Sequence, residues 1–256
     1  MVTTQAMKLD RIRVGTSGWN YWHWVRIFYP EGLARAEWLD YYMQQFSSLE
    51  LNSSFYRMHT PATYARWRNH SPRGFLWSLK ASREITHLKR LRDVAAPLAR
   101  FFKSADALSD HLGAILFQLP PSLQFDSIVA LAFFKQLPSG YHCALEPRHA
   151  SWLEKAALHL LARHRVALCI ADSGGHYPMG EDLTSDFVYL RLHGPQEMYA
   201  SEYRPEQIVR WSKKLKQWRL PGFVYFDNDF HGYAVKNAIE LEQALTSERA
   251  RARATA

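Results

Sequence analysis

Eight short apolar runs, each followed by a stretch with helical period, limit what this chain can fold into. In order they are RIRVGTS (11–17), SLELN (48–52), FLWSLK (75–80), GAILFQL (113–119), HCALE (142–146), VALCIAD (166–172), FVYLRLH (187–193) and GFVYFD (222–227). Between them apolar residues recur every three or four positions, as in LARAEWLDYYMQQF, SWLEKAALHLLARH and PEQIVRWSKKLKQW, the signature of amphipathic helices. Each parallel strand needs a crossover, and eight such strands can close a sheet on itself. The expected fold is therefore α/β, a single (β/α)8 TIM-type barrel with parallel strands and outer helices. An open doubly wound sheet would give the same alternation, but the count of eight favours closure. The expected domain covers residues 1–246, and SERARARATA (247–256) reads as a disordered basic tail.

Successive side chains of a strand face opposite ways, so alternation tells which residues point into a barrel. In the seventh run Val188, Leu190 and Leu192 form an apolar outer row, leaving Tyr189, Arg191 and His193 inside. By the same rule Glu50, Asn52, Lys80, Gln118, Glu146 and Asp227 point inward near the ends of their strands. A barrel built only for stability would fill those layers with Val, Ile and Leu, and barrel active sites lie at the C-terminal face. Asp172, on the row of Leu168 and Ile170 but at the strand's end, has no assignable direction. In the stretch ALEPRHASW, Pro147 ends the fifth strand, His149 reads as a loop residue, and Ser151 as the N-cap of a helix over 152–164.

The net charge is +8, which favours anionic partners, although Arg249, Arg251 and Arg253 of the tail supply part of it. Nine Trp and thirteen Tyr offer flat faces for ring-shaped ligands or for an ordinary large core. The loop SGWNYWHWVRIFYP (17–30), with Trp19 and Tyr21, is expected to form either a stacking wall or a hydrophobic plug. SREITHLKRLRD brings Arg83, His87, Lys89, Arg90 and Arg92 together after the third strand, either to meet phosphate or as a solvated face. Two cysteines, Cys143 and Cys169, sit in apolar runs, so no disulfide framework is expected and a cytoplasmic location is. No membrane-spanning run, signal pattern, Gly-rich nucleotide fingerprint, phosphate loop or close-spaced zinc motif is present.

The inward residues supply both partners of a proton transfer and a clamp for an anion. The leading expectation is acid/base catalysis on a small polar ligand, sugar-like or phosphorylated, at the barrel mouth. In it Glu146, Lys80, His193 and Arg191 carry the chemistry; Glu50, Asn52, Gln118, Arg148, Tyr189, Asp227 and Asn228 help bind. A catalytic Glu146 should tolerate Glu146→Gln with little loss of stability. Glu50, Glu146, Asp172, His193 and Asp227 could instead ligate a divalent cation, but the interleaved Lys80, Arg148 and Arg191 already balance those acids. No other cofactor is indicated. A nucleic-acid-binding or phosphodiester-cleaving barrel, and a non-catalytic ligand-binding barrel, stay open as alternatives.

The motifs VGTSGWNYWHW, FYP, LELNSSFYR, LKASREITH, FQLPPS, EPRHASW, YLRLHG and YFDND resemble the YecE-like family, known as domain of unknown function 72. The resemblance spans nearly the whole chain and implies a TIM-barrel-like fold without an established activity. It carries over motif positions Gly15, Ser17, Gly18, Trp19 and Tyr21; Glu50, Asn52, Phe55 and Tyr56; and Lys80, His87, Gln118 and Pro120. Further along it carries over Glu146, Arg148 and Trp152, then Arg191, His193, Gly194 and Asn228. Two positions depart from the pattern: Pro147 replaces a more usual aromatic or apolar residue, and Asp227 stands where Asn is common.

Overall fold

The computed structural model describes residues 11–254. Its strands are β1 (Ile12–Thr16), β2 (Ser48–Leu51), β3 (Leu76–Lys80), β4 (Leu112–Gln118), β5 (His142–Glu146), β6 (Ala167–Asp172), β7 (Val188–Leu192) and β8 (Gly222–Phe226). The main helices are α1 (Trp38–Gln45), α2 (Ser53–Tyr56), α3 (Pro61–His70), α4 (Ala95–Ala105), α5 (Ser127–Phe134), α6 (Lys155–Arg163), α7 (Pro205–Trp218) and α8 (Tyr233–Ala254). All strand pairs are parallel, in the order β1-β8-β7-β6-β5-β4-β3-β2, so each run of the sequence becomes one stave of a TIM-type barrel. The tail expected at 247–256 falls on the last turns of α8 and on residues 255 and 256. Those two residues, like residues 1–10, lie outside the described residues.

The barrel is only just closed. β1 and β2 meet at a single bridge, Ser17 to Glu50, with the Gly18 amide donating to the Glu50 carbonyl at 2.9 Å. Gly15 makes this approach possible, because a Cβ there would lie 2.2 Å from the Ser48 carbonyl oxygen. Tyr42 of α1 stitches the same seam: its hydroxyl accepts from the Thr16 amide at 2.9 Å and donates to the Ser48 carbonyl at 3.1 Å.

The rows follow the strand alternation. Leu49, Leu51, Ile115, Phe117, Leu145, Leu168, Ile170, Leu190, Val224 and Phe226 pack outward into the helix layer. The interior is filled unevenly, with Phe187, Tyr189, Phe223 and Tyr225 from the β7–β8 side against Ala114, Ala144, Ala167 and Ala171 from β4 to β6. Large against small is how unequal staves fill one taper. Because Cys169 and Ala171 belong to this inner set, Asp172 falls on the outer row; its carboxylate accepts from the Gly174 amide at 3.4 Å.

One local expectation is corrected and one open alternative is settled. His149, not Ser151, caps the turn after β5: its Nδ1 accepts the Ser151 amide at 3.2 Å, ahead of a 3-10 turn (Ala150–Leu153), and α6 starts only at Lys155. The Ser151 hydroxyl instead accepts the Phe125 amide at 2.8 Å, tying the β4 and β5 loops together. The aromatic loop after β1 is largely a plug. Trp24, Phe28 and Tyr29 are buried in the core with Trp38 and Tyr42, and Tyr29 stacks on Trp38 at 4.7 Å.

Candidate active site at the barrel mouth

Arg191 organises the C-terminal end of the barrel. It is 1% exposed and reaches three carboxylates, from β2, from β5 and from the residue that follows β8. Its Nη2 donates to Glu50 at 2.8 Å and to Asp227 at 3.0 Å, its Nη1 to Glu146 at 2.8 Å, and its Nε to Glu50 at 3.0 Å. Glu50 also accepts from the Tyr189 hydroxyl at 2.7 Å and from the Ser17 hydroxyl. Glu146 accepts from Gln118 at 2.8 Å and from Arg148 at 3.4 Å. A buried charge is tolerated only when it is paired and hydrogen-bonded, and each of these three carboxylates is bonded to at least two other side chains.

The electrostatics follow from those contacts. Burial alone would raise the Glu146 carboxyl, but Arg191, with His193 and Arg148, outweighs it and holds the group well below the carboxylate range. Asp227 is lowered in the same way. His193 sits between the two acids, with Nδ1 3.0 Å from Asp227 and Nε2 3.7 Å from Glu146. Burial and Arg191 would lower it, yet the hydrogen bond to Asp227 and the attraction of the Glu146 carboxylate win and its pKa is raised. Among these groups, then, Glu50, Glu146 and Asp227 face Arg191, Arg148 and a His193 that favours its proton.

Lys80 is left over. At the end of β3 and 8% exposed, its Nζ has no hydrogen-bond or ion-pair partner among the described residues, because the nearby acids are committed to Arg191. It lies 4.5 Å from the centre of the Phe55 ring. Burial, then Arg191, pulls its pKa from 10.5 to about 8 against the opposing pull of the acids. Lys80 lines a cavity of about 380 Å³ together with Phe55, Arg83, His87, Gln118, Arg148 and Tyr199. Tyr56, 72% exposed, and Leu88 stand at its rim. None of the residues lining the cavity is acidic.

His87 rides on a π-helical turn (Glu84–Leu88), closed by the Lys89 amide to the Glu84 carbonyl at 2.9 Å; such turns often mark functional sites. Burial, then Lys80 and three arginines, pushes its pKa down to about 4, so the ring is neutral near pH 7. Its neighbours in the basic run go elsewhere. Arg90 donates to Ser122 at 2.9 Å and Arg92 pairs with Asp126 at 3.2 Å.

The expected site residues thus separate by depth. Tyr56, Lys80, His87, Gln118 and Arg148 line the cavity. Glu50, Tyr189 and Arg191 lie sealed beneath it, with Glu146 and His193 between. Asn228 is buried behind the wall, donating to the Ser201 carbonyl and to Asn237, both at 3.0 Å. Asn52 follows β2 with its buried Oδ1 unpartnered. Trp19 packs edge-on against Trp67 and Trp77 at 6.2 and 5.9 Å, away from the cavity. Tyr21 donates to the Ser17 carbonyl at 2.8 Å. Among the described residues no cluster of three or more His, Cys, Asp or Glu is arranged to hold a metal ion, and no helix is long and apolar enough to cross a membrane.

Three residues went unforeseen. Tyr177 and Tyr199 come from the irregular loops after β6 and β7 and flank Arg148, whose guanidinium lies 4.3 Å from the Tyr177 ring centre and 3.5 Å from the Tyr199 hydroxyl. Asp229, the last residue of YFDND, accepts from the Trp24 indole at 2.5 Å and pairs with His23 at 3.1 Å. Burial raises its pKa to about 6. Only the motif position of Asp229 could have drawn attention to it.

The comparisons with known proteins agree with this architecture. Residues 13–256 match the family described as protein of unknown function DUF72. The chain is 25% identical over 232 residues to the UPF0759 protein YecE of Escherichia coli K12, covering 81% of this chain and 82% of that protein. It is 24% identical over 272 residues to the UPF0759 protein YunF of Bacillus subtilis 168, covering 93% and 95%. A crystal structure of a DUF72 family protein from Thermotoga maritima superposes with a TM-score of 0.84 at 24% identity, over 93% of this chain and all of that one. One from Enterococcus faecalis does so at 0.79 and 18%, over 92% and 95%. With a family match running from β1 to the end of α8, this chain belongs to the DUF72 family.

Proposed function

We propose that the chain is an enzyme that binds a small anionic ligand, phosphorylated or sugar-like, in the mouth cavity and transfers a proton through Lys80. The observation that carries this is a cavity lined by Lys80, Arg83, Arg148 and His87 with no acid among its lining residues, where the Lys80 Nζ has no hydrogen-bond or ion-pair partner among the described residues. An anion entering there meets two largely buried cations, Lys80 and Arg148, where charge-assisted hydrogen bonds are strong. Arg148 and Gln118 orient the ligand, and Lys80, uncharged in a useful fraction near pH 8, is the proton-transfer group. Glu146, Arg191, Glu50, Asp227 and His193 form the charged floor that fixes the potential Lys80 feels.

Calorimetric titration with inorganic phosphate and with ribose 5-phosphate tests the proposal. Binding should weaken about tenfold or more in Arg148→Met, the loss of one charged hydrogen bond. Absence of binding, or binding indifferent to Arg148, contradicts it. Oligonucleotide binding that falls steeply with salt and survives Arg148→Met would favour the nucleic-acid alternative.

A further inference from the structure

We infer that Lys80 is a nucleophile as well as a proton carrier, condensing with the carbonyl of a small aldehyde or ketone that bears an anionic group. The inference rests on the anion-binding reading of the cavity and names the substrate class it admits. Two requirements of an imine-forming lysine meet at this position. The amine must be free of carboxylates that would hold it as ammonium, and the acids within reach, Glu50, Glu146 and Asp227, are bonded to Arg191. It must also be held against a water-poor surface, and Nζ lies 4.5 Å from the centre of the Phe55 ring. Desolvation beside other cations is a recognised route to a nucleophilic lysine.

A third feature is the proton relay. His87 packs edge-on against the same Phe55 ring, at 4.9 Å between centres, and its Nδ1 is engaged by the Thr86 hydroxyl at 2.9 Å, so Nε2 is the ring nitrogen left to exchange a proton. The Nζ lone pair attacks the carbonyl carbon, forming a C–N bond as the C=O π pair moves to oxygen. The nitrogen proton passes through His87 to that oxygen, giving a carbinolamine. With a second proton from solvent the oxygen leaves as water and a protonated imine remains. Arg148, 13% exposed at its side chain, holds the ligand's anionic end. A protonated imine draws electrons from the neighbouring C–H or C–C bond, so the reaction it serves is lyase or isomerase chemistry.

The lowered pKa, set by that same burial and by Arg191, points the same way. A shift from 10.5 to about 8 gives on the order of a hundredfold more free amine near pH 7 than an ordinary lysine has.

The full-length protein incubated with glyoxylate and sodium cyanoborohydride, followed by peptide mass mapping, provides the test. The expected result is reductive labelling of Lys80 at least about tenfold faster than of surface lysines, slowed by inorganic phosphate. Acetaldehyde, lacking the anion, should label Lys80 more slowly. Equal labelling of all lysines, or labelling that spares Lys80, overturns the inference. If phosphate binds by calorimetry while Lys80 stays unlabelled, only the nucleophile fails; if phosphate neither binds nor protects, the anion-site reading fails with it. Mapping on the wild-type chain makes the result independent of how any variant folds.

Discussion

Lys80→Met is expected to stabilise the protein near neutral pH and to lose that advantage as the pH climbs. The amine's pKa falls from 10.5 to about 8, and at about 1.4 kcal/mol per pH unit the folded, charged form carries a penalty of about 3 kcal/mol below pH 8. Between about pH 8 and 10.5 the unfolded chain holds the proton more firmly than the folded one, so wild-type stability gains with rising pH across that window. Methionine keeps the stem's length against Phe55 but gives up the cation over its ring, worth about 1 to 2 kcal/mol. The net gain near pH 7 is about 1 to 2 kcal/mol, or roughly 2 to 6 °C in Tm for a chain of this size. Urea unfolding of both proteins, side by side near pH 7 and pH 10, is the assay. A destabilised variant near pH 7, or a gain that persists unchanged near pH 10, refutes the reasoning.

Removing the hub should act in the opposite sense: Arg191→Met strands Glu50, Glu146 and Asp227 in the interior and should cost about 3 to 5 kcal/mol, read from the urea midpoint. Glu146→Gln, which from sequence alone should be benign, now faces Arg191, Arg148 and His193 with its charge gone; a loss of about 1.5 to 3 kcal/mol is expected by the same measurement. His193 has a raised pKa, so its protonation stabilises the fold fully below its ordinary value of 6.5, and that contribution is lost as pH rises through the folded pKa. The stability gap between wild type and His193→Asn should therefore be wider near pH 6 than near pH 9. Gly15→Ala, which drives a Cβ to 2.2 Å from the Ser48 carbonyl oxygen, should cost about 1 to 3 kcal/mol in thermal melts.

The staves and their inner rows were legible because a strand's alternation has a period of two and each run held a clear apolar row: Val188, Leu190 and Leu192 settle where Arg191 points. The depth of each group was not legible. Glu50 and Gln118 read alike along their strands, yet one lies sealed under Arg191 and the other borders the cavity. That difference arises from which strand across the barrel supplies a cation, a relation between residues 141 positions apart. Tyr177 and Tyr199 escaped notice because their loops have no period. The packing of Trp19 was not legible because a half-buried Trp satisfies a core between α3 and β3 as readily as a binding wall. The π-turn under His87 has no sequence signal that distinguishes it from an ordinary helical turn.

Titration of the Lys80 amine itself bears most directly on the account. With lysine isotopically labelled at the side chain, NMR can follow each Nζ environment through the alkaline range, and the Lys80→Met spectrum identifies the signal that belongs to it. A midpoint of about 8, moving upward when phosphate fills the cavity, is the predicted result. A Lys80 that titrates at its ordinary value of 10.5 and ignores phosphate would mean that the amine is neither desolvated nor part of a ligand site, and the functional reading of the mouth would fall.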